Sequence, residues 1–255
     1  MKLFYIIALK RPAKVPFTQI EPPLFCINPY KPPYFAQNQG DRLITGFLKA
    51  ELIVDSTPHI IHFSPNNLRT ITWSVFNPSL DTLFATVDEY KRLVLNRQYS
   101  LILLDGSLLQ FSYTFQRDNL IKHRLCFYPF PLSLEPEEWE VYQEMGIGLV
   151  DILEDLGFEE YQRRLQLRSP IRFDYDLHNA NSNHPASHLH IVRSDCRVPV
   201  FAPLSIGHFV RFVFRNFYFE QWETFDFVRT WPVEWHNRTL TSDEMKQIHL
   251  NCIQG

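Results

Sequence analysis

The stretch from Tyr99 to Phe127 restricts this chain's architecture more than any other. Asp105-Gly106 is a favoured hairpin turn, because glycine enters the positive-φ region without a steric penalty. Before it, Tyr99–Leu104 reads as a strand; after it, Ser107–Phe115 alternates Gln110, Ser112 and Thr114 with Phe111, Tyr113 and Phe115. Arg117-Asp118-Asn119 then turns the chain into a third strand, Leu120–Phe127. Three strands joined by short turns form an antiparallel meander, and its apolar side has to be covered. An aromatic share of 15%, with 22 Phe and 11 Tyr, favours the same sheet-containing class.

Further elements extend this frame. Arg69–Phe76 alternates as a strand, and Thr86-Val87-Asp88-Glu89 has the capping-box form that starts a helix reaching about Arg97. Pro136, with Glu135, Glu137 and Glu138 around it, opens a helix whose stripe runs from Trp139 to Leu156; Gly146 and Gly148 weaken its middle. A short helix follows over Phe158–Leu167. Ile171–Leu177 and Ser187–Arg193 make a further strand pair around the polar loop His178–Pro185. Ser205 caps a helix from Ile206 to about Phe219, and Thr241 to Glu244 starts a last short one. The expected fold is α+β: an antiparallel β-sheet, a meander plus a further hairpin, covered by helices.

Residues 1–42 read as a Pro- and aromatic-rich N-terminal strand and arm. Leu3–Leu9 forms the strand, and the Pro22-Pro23 and Pro32-Pro33 pairs break regular structure. Residues 43–255 read as a single α+β domain, a length that one hydrophobic core can hold. The apolar run at the start is at the low limit for a signal-peptide core and no small-residue cleavage site follows it, so a first strand is the expectation; nothing approaches the ~20 apolar residues of a bilayer span. The expected setting is cytoplasmic, without membrane attachment. Cys26, Cys126, Cys196 and Cys252 form no CxxC pair, which excludes a zinc ribbon and leaves free thiols as the expectation. A net charge of −3 lacks the basic excess of a non-specific nucleic-acid binder, though a local basic face would escape this count.

Alternation along the second strand pair gathers the candidate chemistry. Arg172, Asp174 and Asp176 share one face of their strand, and His188 and His190 share one face of theirs. Pairing with apolar faces together sets these groups side by side, with His184 above them and Arg197 close behind in sequence. Two chemistries suit the set. His188 and His190 with Asp174 suit a divalent metal. Alternatively, a histidine pair acts as general acid and base, an aspartate fixes tautomers, and Arg172 or Arg197 stabilises an anionic transition state. The second is the logic of metal-independent RNA cleavage. A solvated hairpin surface would use the same residue types. A separate stripe, His208, Arg211 and Arg215, recurs at i, i+3 and i+7 along the Ser205-capped helix and suits a phosphate or an acidic partner. No Gly-rich phosphate loop, nucleophile elbow or kinase signature is present.

Three stretches also carry a family resemblance: LLDGSLLQFSY within Tyr99–Tyr113, KHRLCFYPFP over Lys122–Pro131, and IRFDYD, HPASHLH, CRVP and RNFY between Ile171 and Tyr218. They resemble the bacterial family catalogued as domain of unknown function twenty-two-ninety, over roughly residues 43–220. The resemblance implies polar motif positions at Arg172, Asp174, Asp176, His184, His188, His190 and Arg197, and a setting among bacterial defence or mobile-element genes. It brings no catalytic assignment. The expectation is an effector of a defence or toxin-like system with nuclease or phosphotransfer activity on nucleic acid or nucleotide. The alternative is a non-catalytic binding or assembly subunit of a multi-protein defence complex, its aromatic arm making protein contacts.

Overall fold

The fold is read from a computed structural model that describes residues 32–75, 86–234 and 236–251. The expected strand Leu3–Leu9 and the expected arm up to residue 31 lie outside them, as do Cys26 and Cys252.

The meander forms as its alternation requires. Strands β1 (Ile53–Ser56), β2 (His59–Ser64) and β3 (Leu68–Trp73) precede β4 (Leu101–Leu103), β5 (Leu108–Gln116) and β6 (Asn119–Tyr128). Then come β7 (Ile171–Asp176), β8 (Ser187–Ile191) and β9 (Val198–Pro199). Every pairing between them is antiparallel, in the order β1-β4-β5-β6-β7-β8-β9, with β3 joining the far half of β5 and β2 pairing β3. The hairpin of β7 and β8 therefore continues the meander's own sheet, through β6. The turn at Asp105-Gly106 is a three-residue loop: the Leu103 N–H bonds the Ser107 carbonyl at 2.8 Å, and the Gly106 N–H bonds the Leu103 carbonyl at 2.9 Å. Gly106 sits at φ +78, which completes this form of hairpin.

The helices are α1 (Pro32–Lys49), α2 (Val87–Leu95), α3 (Pro136–Glu144), α4 (Leu149–Asp155), α5 (Phe158–Arg164), α6 (Ile206–Phe217), α7 (Phe219–Thr224) and α8 (Asp226–Thr230). Two expectations are corrected. Residues 32–42, assigned to an extended arm, form the first part of α1, which begins at Pro32 because a proline pair is tolerated in a first turn. The single stripe expected from Trp139 to Leu156 is two helices, α3 and α4, because Gly146 adopts φ +67 and ends the first. The Thr86 and Ser205 caps form as expected, their hydroxyls accepting from the Glu89 and His208 N–H groups.

Sheet alternation divides the core in two. On one face Phe111, Tyr113, Leu125, Phe127, Phe173 and Leu189 pack against Leu43 and Phe47 of α1 and Phe209, Val213 and Phe214 of α6. On the other, Leu108, Cys126 and Tyr128 pack against Tyr90 and Leu93 of α2 and Ile152 and Leu153 of α4. Full burial of each such Phe or Leu contributes roughly 1.5–3 kcal/mol, so these two layers fix the sheet. Among the described residues, no helix is long and apolar enough to cross a membrane.

Candidate functional site

Along β6 the second core ends at Cys126, and two residues away on the same face stands Arg124. From there the surface becomes polar. Register sets Arg124 opposite Asp174, Asp174 opposite His188, and Arg172 opposite His190. Cross-strand neighbours lie close enough for their side chains to interact, and here the side chains meet.

Asp174 is the hub. Arg172 Nε lies 3.0 Å from its Oδ2, His190 Nε2 lies 3.3 Å from the same oxygen, and Arg124 Nε lies 3.4 Å from Oδ1. Burial pushes the Asp174 carboxyl up. The Arg124 guanidinium, the His190 hydrogen bond and the Arg172 guanidinium overturn that and hold it well below the usual carboxylate range. It is an anion, outnumbered by the two guanidiniums. Arg124, Arg172 and Asp174 together carry one net positive charge.

The histidines form a connected row. Ring centroids of His184 and His188 are 4.6 Å apart, and those of His188 and His190 are 4.7 Å apart, both edge to face. His188 Nδ1 lies 2.7 Å from the Pro185 carbonyl oxygen. A carbonyl only accepts, so Nδ1 carries the proton and Nε2 keeps its lone pair. Burial, only partly opposed by Asp174, lowers the His188 pKa to about 4, so the ring is neutral near pH 7. His184 holds the loop through paired backbone bonds with Asn181, and its Nδ1 is buried without a hydrogen-bond partner. Access is graded: side-chain exposure is 24% for Arg124, 14% for Asp174 and 12% for Arg172, against 2% for His188 and His190 as residues.

Two of the expected residues have other engagements. Asp176 accepts from the Asn179 backbone N–H at 3.2 Å and its side-chain amide at 2.8 Å, and pairs with Lys122 at 3.4 Å. It shapes the loop instead of meeting the imidazoles. Arg197 donates to the Asp195 carbonyl oxygen at 3.3 Å, in the turn before β9. Arg124 is the participant that the strand-pair reading missed. The signal was available: once β6 pairs with β7, alternation from Phe127 puts Arg124 on the Asp174 face.

The basic stripe on α6 is also partly committed. His208 Nδ1 lies 3.0 Å from the Ser205 hydroxyl, closing the helix cap, and burial followed by the Arg211 charge lowers its pKa to about 4. Arg211 donates to the Trp231 carbonyl oxygen at 2.9 Å, while Arg215 is exposed.

A serine–histidine pair with an aspartate nearby does exist elsewhere, which sequence spacing could not show. His59 Nε2 lies 3.0 Å from the Ser100 hydroxyl, and His59 Nδ1 lies 3.6 Å from Asp41. Ser100 is 0% exposed and its oxygen also accepts the Phe111 N–H at 2.9 Å. No substrate carbonyl reaches it, so this set is a core network.

For a metal, one donor atom each from Asp174, His188 and His190 lies within 4.8 Å of the others, a set that zinc could complete with water. The surroundings fit poorly. Arg172 and Arg124 already neutralise the one carboxylate, and a dication would have to displace or repel both guanidiniums. The same arrangement welcomes an anion.

The family model described as Uncharacterized conserved protein (DUF2290) matches residues 52–252, and the chain belongs to that family. The match reaches beyond Tyr218, so the C-terminal segment up to residue 252 is part of the family's domain. No curated protein and no solved structure matches the chain.

Proposed function

We propose that this member of the family acts on a phosphate ester, in a nucleic acid or a nucleotide, by metal-independent acid–base chemistry at the Asp174 cluster. The observation that carries the reading is one carboxylate outnumbered by two guanidiniums, beside an imidazole whose Nε2 lone pair is fixed by the Nδ1 bond to Pro185. Arg124, more exposed than Asp174 and Arg172, meets the phosphate first, and Arg172 shares the charge that develops on its oxygens. His188 Nε2 takes the proton of the attacking hydroxyl as its oxygen bonds to phosphorus, and His184, in its protonated form, gives a proton to the leaving oxygen as the old phosphorus–oxygen bond breaks. Asp174 holds His190 and Arg172 in place. The bacterial defence setting that the resemblance implies would give such an activity its use, as a toxin-like effector.

The test is incubation of the purified chain with labelled RNA, DNA and nucleotides, in EDTA and with added Mg²⁺, Mn²⁺ or Zn²⁺. Arg124→Gln and the pair His188→Ala, His190→Ala serve as comparisons. The expected result is turnover in EDTA that falls by 10²-fold or more in the variants, the usual size of an acid–base contribution. Cleavage by the folded variants at the wild-type rate ends this reading, and strict metal dependence moves it to the metal alternative.

A second reading has its own support in the 2% exposure of His188 and His190. Imidazoles so covered suit a satisfied network inside a binding or assembly subunit. An inactive wild-type chain that co-purifies with a partner protein, and loses it on Arg124→Gln, would favour this one.

A further inference from the structure

The Asp174 site leaves unused the DGS turn and the RNFY stretch. They meet elsewhere. A cavity of about 440 Å³ opens at the end of the sheet, lined by Asp105 and Ser107 from the β4–β5 hairpin, Phe127 at the end of β6, Arg168 ahead of β7, and Phe217 and Tyr218 at the end of α6. Segments far apart in sequence build it, and its volume falls in the range of small-molecule sites. Phe127 packs on the opposite sheet face from Arg124 and Asp174, so this is a separate place from the proposed reaction site.

Its chemistry is divided. The floor is an ordered acidic group: the Tyr218 hydroxyl donates to Asp105 Oδ2 at 2.8 Å, and the Ser107 N–H donates to Asp105 Oδ1 at 3.0 Å. Each carboxylate oxygen has more than one lone pair, so Asp105 can still accept from a ligand's amine. The wall is aromatic. Phe127 and Phe217 stack with centroids 5.0 Å apart and planes at 25°, yet Phe217 remains 46% exposed. A ring left half in water on an ordered stack is a platform for another flat ring. The rim carries the Arg168 guanidinium, set by the 2.8 Å bond from its Nε to the Gln166 side chain. Acceptor, flat platform and cation together select a planar ring that bears an amine at one end and an anion at the other.

We infer that this cavity binds a purine nucleoside monophosphate, with the base stacked on Phe217, its exocyclic amine donating to Asp105 and its phosphate on Arg168. The inference does not rest on the Asp174 reading, since a bound nucleotide here would be a recognised ligand whether or not the other face turns anything over.

The experiment is isothermal titration calorimetry of the full chain with AMP and GMP, and with adenosine, UMP and inorganic phosphate as partial probes. AMP or GMP should bind more tightly than adenosine, UMP or phosphate. Phe217→Ala should weaken purine binding roughly tenfold or more through loss of stacking, and Phe217→Trp should retain it. Arg168→Gln should reduce AMP to the affinity of adenosine while leaving adenosine unchanged. Phe217 and Arg168 are exposed, so both variants should melt with the wild type, which a thermal scan confirms. No binding of either purine at millimolar concentration overturns the inference. So does binding that survives Phe217→Ala and is lost in Arg124→Gln, because the nucleotide is then at the Asp174 cluster.

Discussion

Replacing Asp174 by Asn removes the charge of the hub with almost no change in shape, and the consequence can be worked from its three contacts. At 3.0 and 3.4 Å, and an effective dielectric of about 20, each guanidinium attracts the carboxylate by on the order of 5 kcal/mol. Most of that offsets the desolvation of the ions themselves. The substitution removes the attraction and keeps the cost for Arg124 and Arg172, now two like charges flanking a neutral amide. Breaking a buried pair from one side costs about 3–5 kcal/mol. The partial exposure of these side chains puts Asp174→Asn at the lower end, about 3 kcal/mol. For a domain of this size that lowers Tm by roughly 6–12 °C. Urea unfolding followed by far-UV circular dichroism, with a common slope, measures it. The cycle with Arg172→Met isolates the pair: the double variant should be less destabilised than the sum of the singles, by about 1–3 kcal/mol. A loss under about 0.5 kcal/mol for Asp174→Asn, or strict additivity in the cycle, refutes the assignment of Asp174 as the hub.

Other outcomes follow from single sites. The His123 Nε2 accepts the Leu204 N–H at 3.1 Å, and burial lowers its pKa to about 3. The folded pKa lies below the unfolded value of about 6.5, so this contribution is complete above pH 6.5 and is lost as pH falls toward 3. The unfolding free energy should therefore drop across that window, and His123→Gln should reduce the slope by up to about 1.4 kcal/mol per pH unit; an unchanged slope counts against a neutral buried His123. Gly207→Ala places a Cβ 2.1 Å from the Pro232 backbone carbonyl oxygen, which cannot rotate away. A loss of about 1–3 kcal/mol in urea unfolding is expected, and wild-type stability would show that α6 and the Pro232 segment are not in this contact. Ser205→Ala removes the α6 cap and the acceptor of the Glu234 N–H, and should cost about 1–2 kcal/mol, with a neutral result excluding the cap.

The Asp105-Gly106 turn, the alternation of β5 and the Thr86 and Ser205 caps were all legible in the sequence. Each is a local rule: a glycine at φ +78, a period of two, a hydroxyl three residues before the N–H it binds. For the same reason alternation put Asp174 with His188 and His190, since a hairpin's register follows from its loop and its apolar face. Local rules failed where a choice depended on distant packing. β1 and β2 passed unnoticed, and the single stripe from Trp139 to Leu156 split at Gly146.

What the chain's order of residues determined alone was therefore most of the later strands, the caps and which face their side chains take. Which strands become neighbours was decided by the assembled sheet. The pairing of β6 with β7 brought Arg124 to Asp174, and the meeting of the β4–β5 hairpin with the end of α6 made the cavity at Phe217. The physical reason is range. Backbone geometry and alternation act over a few residues, whereas Arg124 and Asp174 are 50 positions apart and are brought together by the strand pairing that buries Leu125 and Phe173, opposite each other, in one core on the far face.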